Sequence, residues 1–281
     1  MMTEPSRPAG IGFNLFSGYH QMLGWEGIYG VDALRNGAYD DLALAGGAMK
    51  VRWWDAPPET WQEKDLTAQL PVQDLLNVRY YLATHADPAR ELAGLTFIRQ
   101  HDLDVYESPT AWPRAFFTDQ MTGHVDLPDF IRQLRTGDRR PFASVDRADA
   151  PAGIAPLGRG LAPTNRLIRP AENYVLTTNT TSFRISAPGP GFAVLTESYY
   201  PRDFSVTLDG EPAEYFRVNH AFKGVRIPAA GTYTVQFSYW PHRLTLALWL
   251  CAAGIALLAA GLAWSFYPER RFAGSPELVH A

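Results

Sequence analysis

The sequence predicts an α+β N-terminal region followed by an antiparallel β-sandwich and one C-terminal transmembrane helix. Up to about residue 150, short helical and strand patterns alternate, as they do in mixed α and β regions. From Asn173 the pattern changes to short alternating segments separated by turn residues, which is typical of a sandwich. The run Leu244–Tyr267 contains no charged residue. We therefore expect a folded body attached to a membrane helix.

The N-terminal region, residues 1–150, is predicted to contain few helices and several short strands. The segment Asp126–Arg135 has the clearest helix signal, because Asp126 can cap the first turn and Pro128 suits that turn. The other predicted elements are a loop-rich start, a short helix near Ala33–Leu44, one or two helical turns at Pro71–Leu76, and strands at Val78–Thr84, Leu95–Arg99, Leu103–Glu107 and Ala115–Thr118.

Residues 151–172 are predicted to form a proline-rich connector, and residues 173–241 the β-sandwich. Asp209-Gly210 predicts a tight hairpin turn, because aspartate and glycine accept the positive φ that such a turn needs. The predicted strands are Tyr174–Thr178, Ser182–Ala187, Phe192–Ser198, Phe204–Leu208, Tyr215–Asn219, Val225–Ile227 and Tyr233–Tyr239.

The uncharged run at residues 244–267 is long enough to cross a bilayer. As a helix it would be roughly 36 Å long at about 1.5 Å per residue, more than the ~30 Å of the hydrocarbon core. Arg270 and Arg271 follow it and Arg243 precedes it. The positive-inside rule then favours a cytoplasmic tail, residues 268–281, and an extracytoplasmic body.

The first residues of the chain bear on this topology. They show no signal-peptide pattern, so an exported body would need an exporting segment upstream of Met1. Taken literally, a start at Met1 predicts instead a tail-anchored protein with its body in the cytoplasm.

Ala252, Ala256 and Ala260 place small residues on one stripe of the helix, which would allow close packing against other transmembrane helices.

Composition excludes several classes of function. The net charge is −4 and the only lysines are Lys50, Lys64 and Lys223, which argues against a nucleic-acid-binding surface. The single cysteine, Cys251, lies in the membrane run, so neither an intramolecular disulfide nor a cysteine-based metal site can form. The seven histidines are scattered without metal-binding spacing. We expect no catalytic, cofactor-binding or metal-binding residue in this chain.

Glu197, Tyr199 and Tyr200 form the candidate ligand-binding group. A carboxylate beside aromatic rings is typical of sugar contacts, because the rings stack on sugar faces. The alternative is that this strand end packs on the neighbouring region. Three tryptophans, Trp53, Trp54 and Trp61, are predicted to pack against the body, with a ligand-stacking face as the alternative.

Several short segments occur in a characteristic order across roughly residues 10–250. They are Gly30–Leu34, Leu75–Tyr80, Val105–Pro109, Pro113–Phe117, Glu197–Pro201, Val206–Gly210, Val218–Val225 and Pro228–Val235. In these segments the chain resembles the C-terminal part of the YfhO-type bacterial membrane proteins, which resemble polytopic glycosyltransferases of the GT-C architecture that use lipid-linked sugars. One departure is that Tyr-Pro is usually followed by Gly-Trp, whereas Pro201 is followed here by Arg202-Asp203.

The resemblance implies a role in glycosylation of cell-envelope glycans or glycolipids at the bacterial inner membrane. Its implied partners are membrane lipid, a glycan or lipid-linked sugar, and other transmembrane helices of a GT-C-like domain. The catalytic acid of such proteins is expected among membrane helices before this region, so no catalytic residue is carried over and the question of enzymatic activity stays open. The alternative is a membrane-tethered glycan-binding or structural β-sandwich module with no enzymatic role.

Overall fold

The computed structural model describes residues 5–11, 24–28, 36–45, 63–150, 157–159 and 164–266. The chain forms two compact units, Met1–Tyr239 and Trp240–Ala281. The described elements of the first unit are, in chain order, β1 (Arg7–Gly10), α1 (Gly37–Ala45), α2 (Glu63–Leu75), β2 (Val78–Thr84), β3 (Thr96–Gln100), β4 (Leu103–Glu107), β5 (Ala115–Thr118), β6 (Met121–His124), α3 (Leu127–Thr136), β7 (Ala143–Asp146), β8 (Leu157–Arg159), β9 (Ile168–Pro170), β10 (Glu172–Leu176), β11 (Thr180–Ala187), β12 (Gly191–Ser198), β13 (Phe204–Leu208), β14 (Glu211–Ala213), β15 (Tyr215–Val218), β16 (Phe222–Ile227) and β17 (Gly231–Tyr239).

The N-terminal region contains two small sheets and three helices within the described residues. One sheet has the order β1-β2-β4-β3, and the other has the order β7-β6-β8 with parallel pairing. Helix α3 connects β6 to β7. The Asp126 side chain caps it by accepting a hydrogen bond from the Asp129 amide at 2.8 Å, as the sequence predicted.

A β-sandwich of two five-stranded sheets follows, with the orders β10-β11-β17-β13-β14 and β15-β16-β12-β5-β9. All pairings within both sheets are antiparallel. Alternate residues of facing strands, among them Phe183, Leu195, Val235 and Phe237, fill the space between the sheets. The predicted fold class is thereby confirmed.

Strand β5 comes from the N-terminal region, yet it pairs with β12 in the middle of the second sheet. Its Phe117 belongs to the core between the two sheets, whereas Phe116 belongs to the core of the N-terminal region. Strand β12 likewise sends Leu195 into the sandwich core and Val194 into the other core. This sheet is therefore buried on both faces and holds the two regions together.

Asn219 adds a second connection between the regions. It lies fully buried in the turn between β15 and β16, with a positive φ of 48°. Its side-chain amide donates to the Phe142 carbonyl at 2.9 Å and accepts from the Ser144 amide at 2.7 Å, and its own amide donates to the Ser144 carbonyl. One asparagine thus satisfies three backbone groups around β7, which a buried backbone requires.

Most sequence predictions for individual elements are confirmed. The seven sandwich strands occur within a few residues of their predicted bounds, as do β2, the β3–β4 hairpin, β5 and α3. Asp209-Gly210 forms the predicted turn, with φ of 52° and 88°. Within the predicted connector, residues 157–159 form β8 and residues 168–170 form β9. The short strands β6, β7 and β14 were not predicted. The three tryptophans at 53, 54 and 61 lie outside the described residues.

The prediction of only one or two helical turns at Pro71–Leu76 is wrong, because α2 runs from Glu63 to Leu75 with Pro71 inside it. A proline in a helix interior costs about 3 kcal/mol in isolation. Leu66, Leu70 and Val72 of this helix are nevertheless fully buried in the core. Burial of an apolar side chain contributes about 1.5–3 kcal/mol, so packing outweighs the local penalty.

The second unit contains helix α4 (Leu244–Ser265), whose mean hydropathy in its most apolar window is 2.3. Among the described residues, it is the one helix that is long and apolar enough to cross a membrane. None of its residues is buried by the protein, which fits a helix surrounded by lipid or by other helices.

Candidate functional site

An open cleft of about 720 Å³ lies where the β12–β13 loop, strand β15 and the start of α1 meet. Its lining residues are Asn36, Gly37, Ala38, Asp149, Tyr199, Tyr200, Pro201, Tyr215, Phe216 and Arg217. We call it the tyrosine cleft. Its size falls in the range of about 300–1,000 Å³ that is common for small-ligand sites.

Hydrogen bonds to the backbone hold the walls of the tyrosine cleft. Asn36 donates its side-chain amide to the Tyr199 carbonyl at 2.8 Å, which attaches the start of α1 to the sandwich loop. The Tyr215 hydroxyl donates to the Tyr200 carbonyl at 2.7 Å, and the rings of Tyr199 and Tyr215 lie 5.5 Å apart. These contacts hold the backbone of both loop tyrosines and the ring of Tyr199.

Arg217 forms an ion pair with Asp149 at the rim of the tyrosine cleft. Both side chains are partly exposed, so the pair contributes little to stability. The cleft therefore combines aromatic faces with a guanidinium, a carboxylate and an amide. Such a combination can stack on apolar faces and hydrogen-bond hydroxyl groups of one ligand.

Glu197 lies elsewhere, in an ionic cluster formed with Arg114, Tyr174, Thr181 and Lys223. Its carboxylate accepts hydrogen bonds from the Tyr174 hydroxyl at 2.7 Å, from Lys223 Nζ at 3.0 Å and from the Thr181 hydroxyl at 3.1 Å. Arg114 Nη2 lies 3.7 Å from Glu197 and 2.6 Å from Glu26. The carboxylate is thus fully engaged by the protein.

Lys223 is fully buried in the ionic cluster, which is rare for a lysine. Its Nζ atom lies 3.7 Å from the centroid of the Phe204 ring and 4.9 Å from that of Phe237. Burial lowers the pKa of Lys223, and the nearby carboxylate opposes that shift. Two aromatic faces and one carboxylate therefore replace the water that the ammonium group lost.

Burial by itself would raise the pKa of Glu197. The charges of Lys223 and Arg114 outweigh this effect and, with the hydrogen bonds, lower that pKa to about 2. Glu197 is therefore ionised in the folded protein at neutral pH. A carboxylate in this state and this setting stabilises the end of the sandwich rather than acting as a proton donor.

A second buried polar group lies at β6 and β7. His124 Nδ1 is 2.8 Å from the Ser144 hydroxyl, and its ring lies 5.1 Å from the Phe130 ring. Burial lowers the pKa of His124 to about 4, although Asp146 opposes the shift, and His220 lowers that pKa further. The imidazole is therefore neutral in the folded protein at neutral pH.

We expect this histidine to make the stability depend on pH. The unfolded chain binds the proton at the ordinary pKa of 6.5, whereas the folded protein binds it only near pH 4. The stabilisation is therefore complete above pH 6.5 and falls by about 3 kcal/mol between pH 6.5 and pH 4. Urea unfolding of the full chain in mild detergent at several pH values measures this change.

Replacement of His124 by glutamine should flatten the pH profile between pH 6.5 and pH 4. The matched control is His101→Gln, because His101 is exposed in the β3–β4 turn. That control should keep the wild-type profile. If the stability of the His124→Gln variant depended on pH as strongly as that of the wild type, the pH dependence could not be assigned to His124.

The structure thus separates the three predicted ligand-contact residues. Tyr199 and Tyr200 line the tyrosine cleft, and Glu197 belongs to the ionic cluster. Contact of any of them with a glycan stays a prediction. The reasoning from sequence did not identify Asn36, Tyr215 or Arg217 as part of a site. The Asn36–Tyr199 contact joins residues 163 positions apart, and nothing in the local pattern indicates it.

Within the described residues, no group of three or more His, Cys, Asp or Glu side chains is arranged to hold a metal ion. Asp104, the last residue of the Asp102-Leu103-Asp104 sequence, is buried. Its carboxylate accepts hydrogen bonds from the Ala86 backbone amide and from the side-chain amide of Gln100. Comparison of the chain with family models, curated proteins and solved structures found no match.

Proposed function

We propose that this chain is a membrane-anchored module that binds carbohydrate in the tyrosine cleft. The observation that carries the proposal is the presence of Tyr199, Tyr200 and Tyr215 beside Asn36 and Arg217 in one cleft. Tyrosine faces stack on the C–H faces of sugar rings, and amide and guanidinium groups donate hydrogen bonds to sugar hydroxyls. The fixed loop backbone lowers the entropy cost of binding.

The cellular setting belongs to the same proposal. The module would be the extracytoplasmic portion of a YfhO-like protein of the bacterial inner membrane, with glycosyl transfer carried out by other membrane segments. Support comes from the ordered segments that resemble this family and from α4, none of whose residues is buried. Its ligand would be an envelope glycan or a lipid-linked sugar. The alternative is a structural sandwich module that binds no glycan.

The tyrosine cleft lies towards one end of the sandwich. The loop carrying Tyr199 and Tyr200 leads directly into β13, whose first residue, Phe204, pairs with Tyr239 at the end of β17. The helix α4 begins five positions after Tyr239 in the sequence. The loop tyrosines therefore lie at the end of the sandwich from which the chain continues to α4.

Binding of envelope oligosaccharides to the full chain in nanodiscs tests the proposal. We expect Tyr199→Ala and Tyr200→Ala each to weaken binding at least about tenfold, equivalent to about 1.4 kcal/mol. The matched control is Tyr80→Ala, a half-buried tyrosine on β2 outside the cleft lining. Its affinity should equal that of the wild type.

The outcomes separate the alternatives. Absence of binding across a broad glycan panel would favour the structural module. Sugar transfer from a lipid-linked donor by this chain alone would contradict a catalytic centre placed in other segments. A reporter at the N-terminus that is active only in the cytoplasm would contradict the extracytoplasmic orientation and favour the tail-anchored alternative.

A further inference from the structure

The charged side chains that line the tyrosine cleft are one guanidinium and one carboxylate, those of Arg217 and Asp149. They form an ion pair with each other. Among the residues that the structure describes, no other carboxylate forms an ion pair with Arg217. The remaining lining residues are aromatic, apolar or amide-bearing. The formal charge of the cleft lining is therefore zero.

The ion pair is accessible from the cleft. The side chains of Arg217 and Asp149 are 31% and 56% exposed. Asp149 engages only Nη2 of the guanidinium, and a guanidinium has five N–H donors. The guanidinium can therefore donate hydrogen bonds to a ligand while its charge stays balanced by Asp149.

This arrangement affects charged and uncharged ligand groups differently. A ligand carboxylate that reached Arg217 would also lie close to Asp149, because the two side chains are in contact. Its attraction to the guanidinium would be offset by repulsion from the Asp149 carboxylate. A sugar hydroxyl meets no such repulsion, and it can accept from Arg217 or donate to Asp149. A charge placed against one class of ligand is a general source of specificity.

The start of α1 could also attract an anion, because the N-terminus of a helix carries partial positive charge. Gly37 and Ala38, the first two residues of α1, line the cleft. Asp40 places a negative charge in the first turn of this helix. The Asn36 side chain caps the turn by accepting a hydrogen bond from the Tyr39 amide at 3.1 Å. The attraction of this helix end for an anionic ligand is therefore offset within the protein.

Asp41 adds another negative charge in the same helix. Its carboxylate lies 3.9 Å from His220 Nε2. Burial lowers the pKa of His220 below its ordinary 6.5, and Arg217 lowers it further, although Asp41 opposes the shift. The imidazole is therefore neutral at neutral pH and does not cancel the charge of Asp41. The acidic residues of α1 thus act against an anionic ligand at this end of the helix.

We propose that the tyrosine cleft selects uncharged sugars over acidic sugars, and that Asp149 is the residue that sets this preference. The inference rests on the proposed carbohydrate binding and names the substrate class of the same cleft. An uncharged ring stacks on the tyrosine faces, and its hydroxyls share the donors of Arg217 and the acceptors of Asp149. A uronic acid would bring its carboxylate beside that of Asp149.

Paired ligands test this preference in the full chain, reconstituted in nanodiscs of zwitterionic lipid at low ionic strength. Each pair consists of a neutral oligosaccharide and its counterpart with C6 hydroxymethyl groups oxidised to carboxylates. We expect the wild type to bind the neutral member at least about fivefold more tightly. Asp149→Asn keeps the shape of the side chain and removes its charge, so it should lower this ratio at least about fivefold. The matched control, Asp102→Asn in the exposed β3–β4 turn, should keep the wild-type ratio.

The double variant Asp149→Asn, Arg217→Gln identifies the charge responsible. The gain in affinity for oxidised sugars should disappear in it, because the unbalanced guanidinium is removed. Tighter binding of the oxidised member by the wild type would overturn the inference and leave carbohydrate binding standing. So would an unchanged ratio in Asp149→Asn. Absence of binding of both members by the wild type and by Asp149→Asn would overturn carbohydrate binding, and the inference with it.

Discussion

Replacing Glu197 by glutamine is expected to lower the free energy of unfolding by about 3–5 kcal/mol, the typical cost of removing one partner of a buried ion pair. Lys223 would remain fully buried with its charge uncompensated. The lowered pKa of Glu197, about 2 against an ordinary 4.5, independently corresponds to about 3 kcal/mol. Urea unfolding in mild detergent, followed by tryptophan fluorescence, to which the buried Trp112 contributes, measures the change.

The matched control for this prediction is Glu211→Gln, which makes the same chemical change at an exposed position of β14. It should change stability by less than about 0.5 kcal/mol. Adding Lys223→Met to the Glu197 variant should recover at least about 1 kcal/mol, because both charges then leave the core. Equal stabilities of the Glu197 and Glu211 variants would contradict the role assigned to the ionic cluster.

The cluster also predicts a second acid transition. The folded-state pKa of Glu197 is depressed, so its contribution is present above pH 4.5 and is lost as the pH falls from 4.5 towards 2. The contribution of His124 is lost at higher pH, between 6.5 and 4. The Glu197→Gln variant should therefore lose only the lower part of the wild-type pH profile.

Replacing Asn219 by alanine is expected to lower the free energy of unfolding by about 3–4 kcal/mol. The Phe142 carbonyl and the Ser144 amide would lose their buried partners, at about 1–3 kcal/mol each. Alanine would also be held at a positive φ, at a cost of about 1 kcal/mol. The same unfolding measurement in detergent records the loss.

Asn173→Ala is the matched control, because Asn173 also has a positive φ, of 53°, but is exposed. It should cost no more than the strain of about 1 kcal/mol. The variant Asn219→Gly removes the side chain without the strain and should remain about 2–3 kcal/mol less stable than the wild type. If the Asn219→Gly variant is as stable as the wild type, the side-chain hydrogen bonds of Asn219 contribute no net stabilisation.

The sandwich strands could be predicted from sequence because their signal is local. In β17, Val235 and Phe237 alternate with exposed residues, and this period of two is visible without any knowledge of the partner strands. The turn at Asp209-Gly210 is equally local, because a positive φ restricts the residues that can occupy it. Asp126 indicated the start of α3, because helix capping also depends on residues that are adjacent in sequence.

Other features depend on neighbours distant in sequence. Nothing in the four residues Ala115–Thr118 indicates that β5 would enter the middle of a sandwich sheet formed largely by later strands. A lysine side chain is normally exposed at the protein surface. The buried ammonium group of Lys223 is stabilised by Glu197 and by the rings of Phe204 and Phe237, which are distant from it in sequence. The full length of α2 was missed because the predicted helical turns began at Pro71, whereas core packing keeps this proline inside a longer helix.

Local patterning therefore accounts for the strands, the capped helix and the long apolar helix α4, since each depends on the period or polarity of consecutive residues. The tertiary structure alone revealed the tyrosine cleft and the ionic cluster. Each of these joins side chains from separate elements, such as Asn36 with Tyr199. Their proximity arises from sheet pairing and packing, which a linear pattern does not encode.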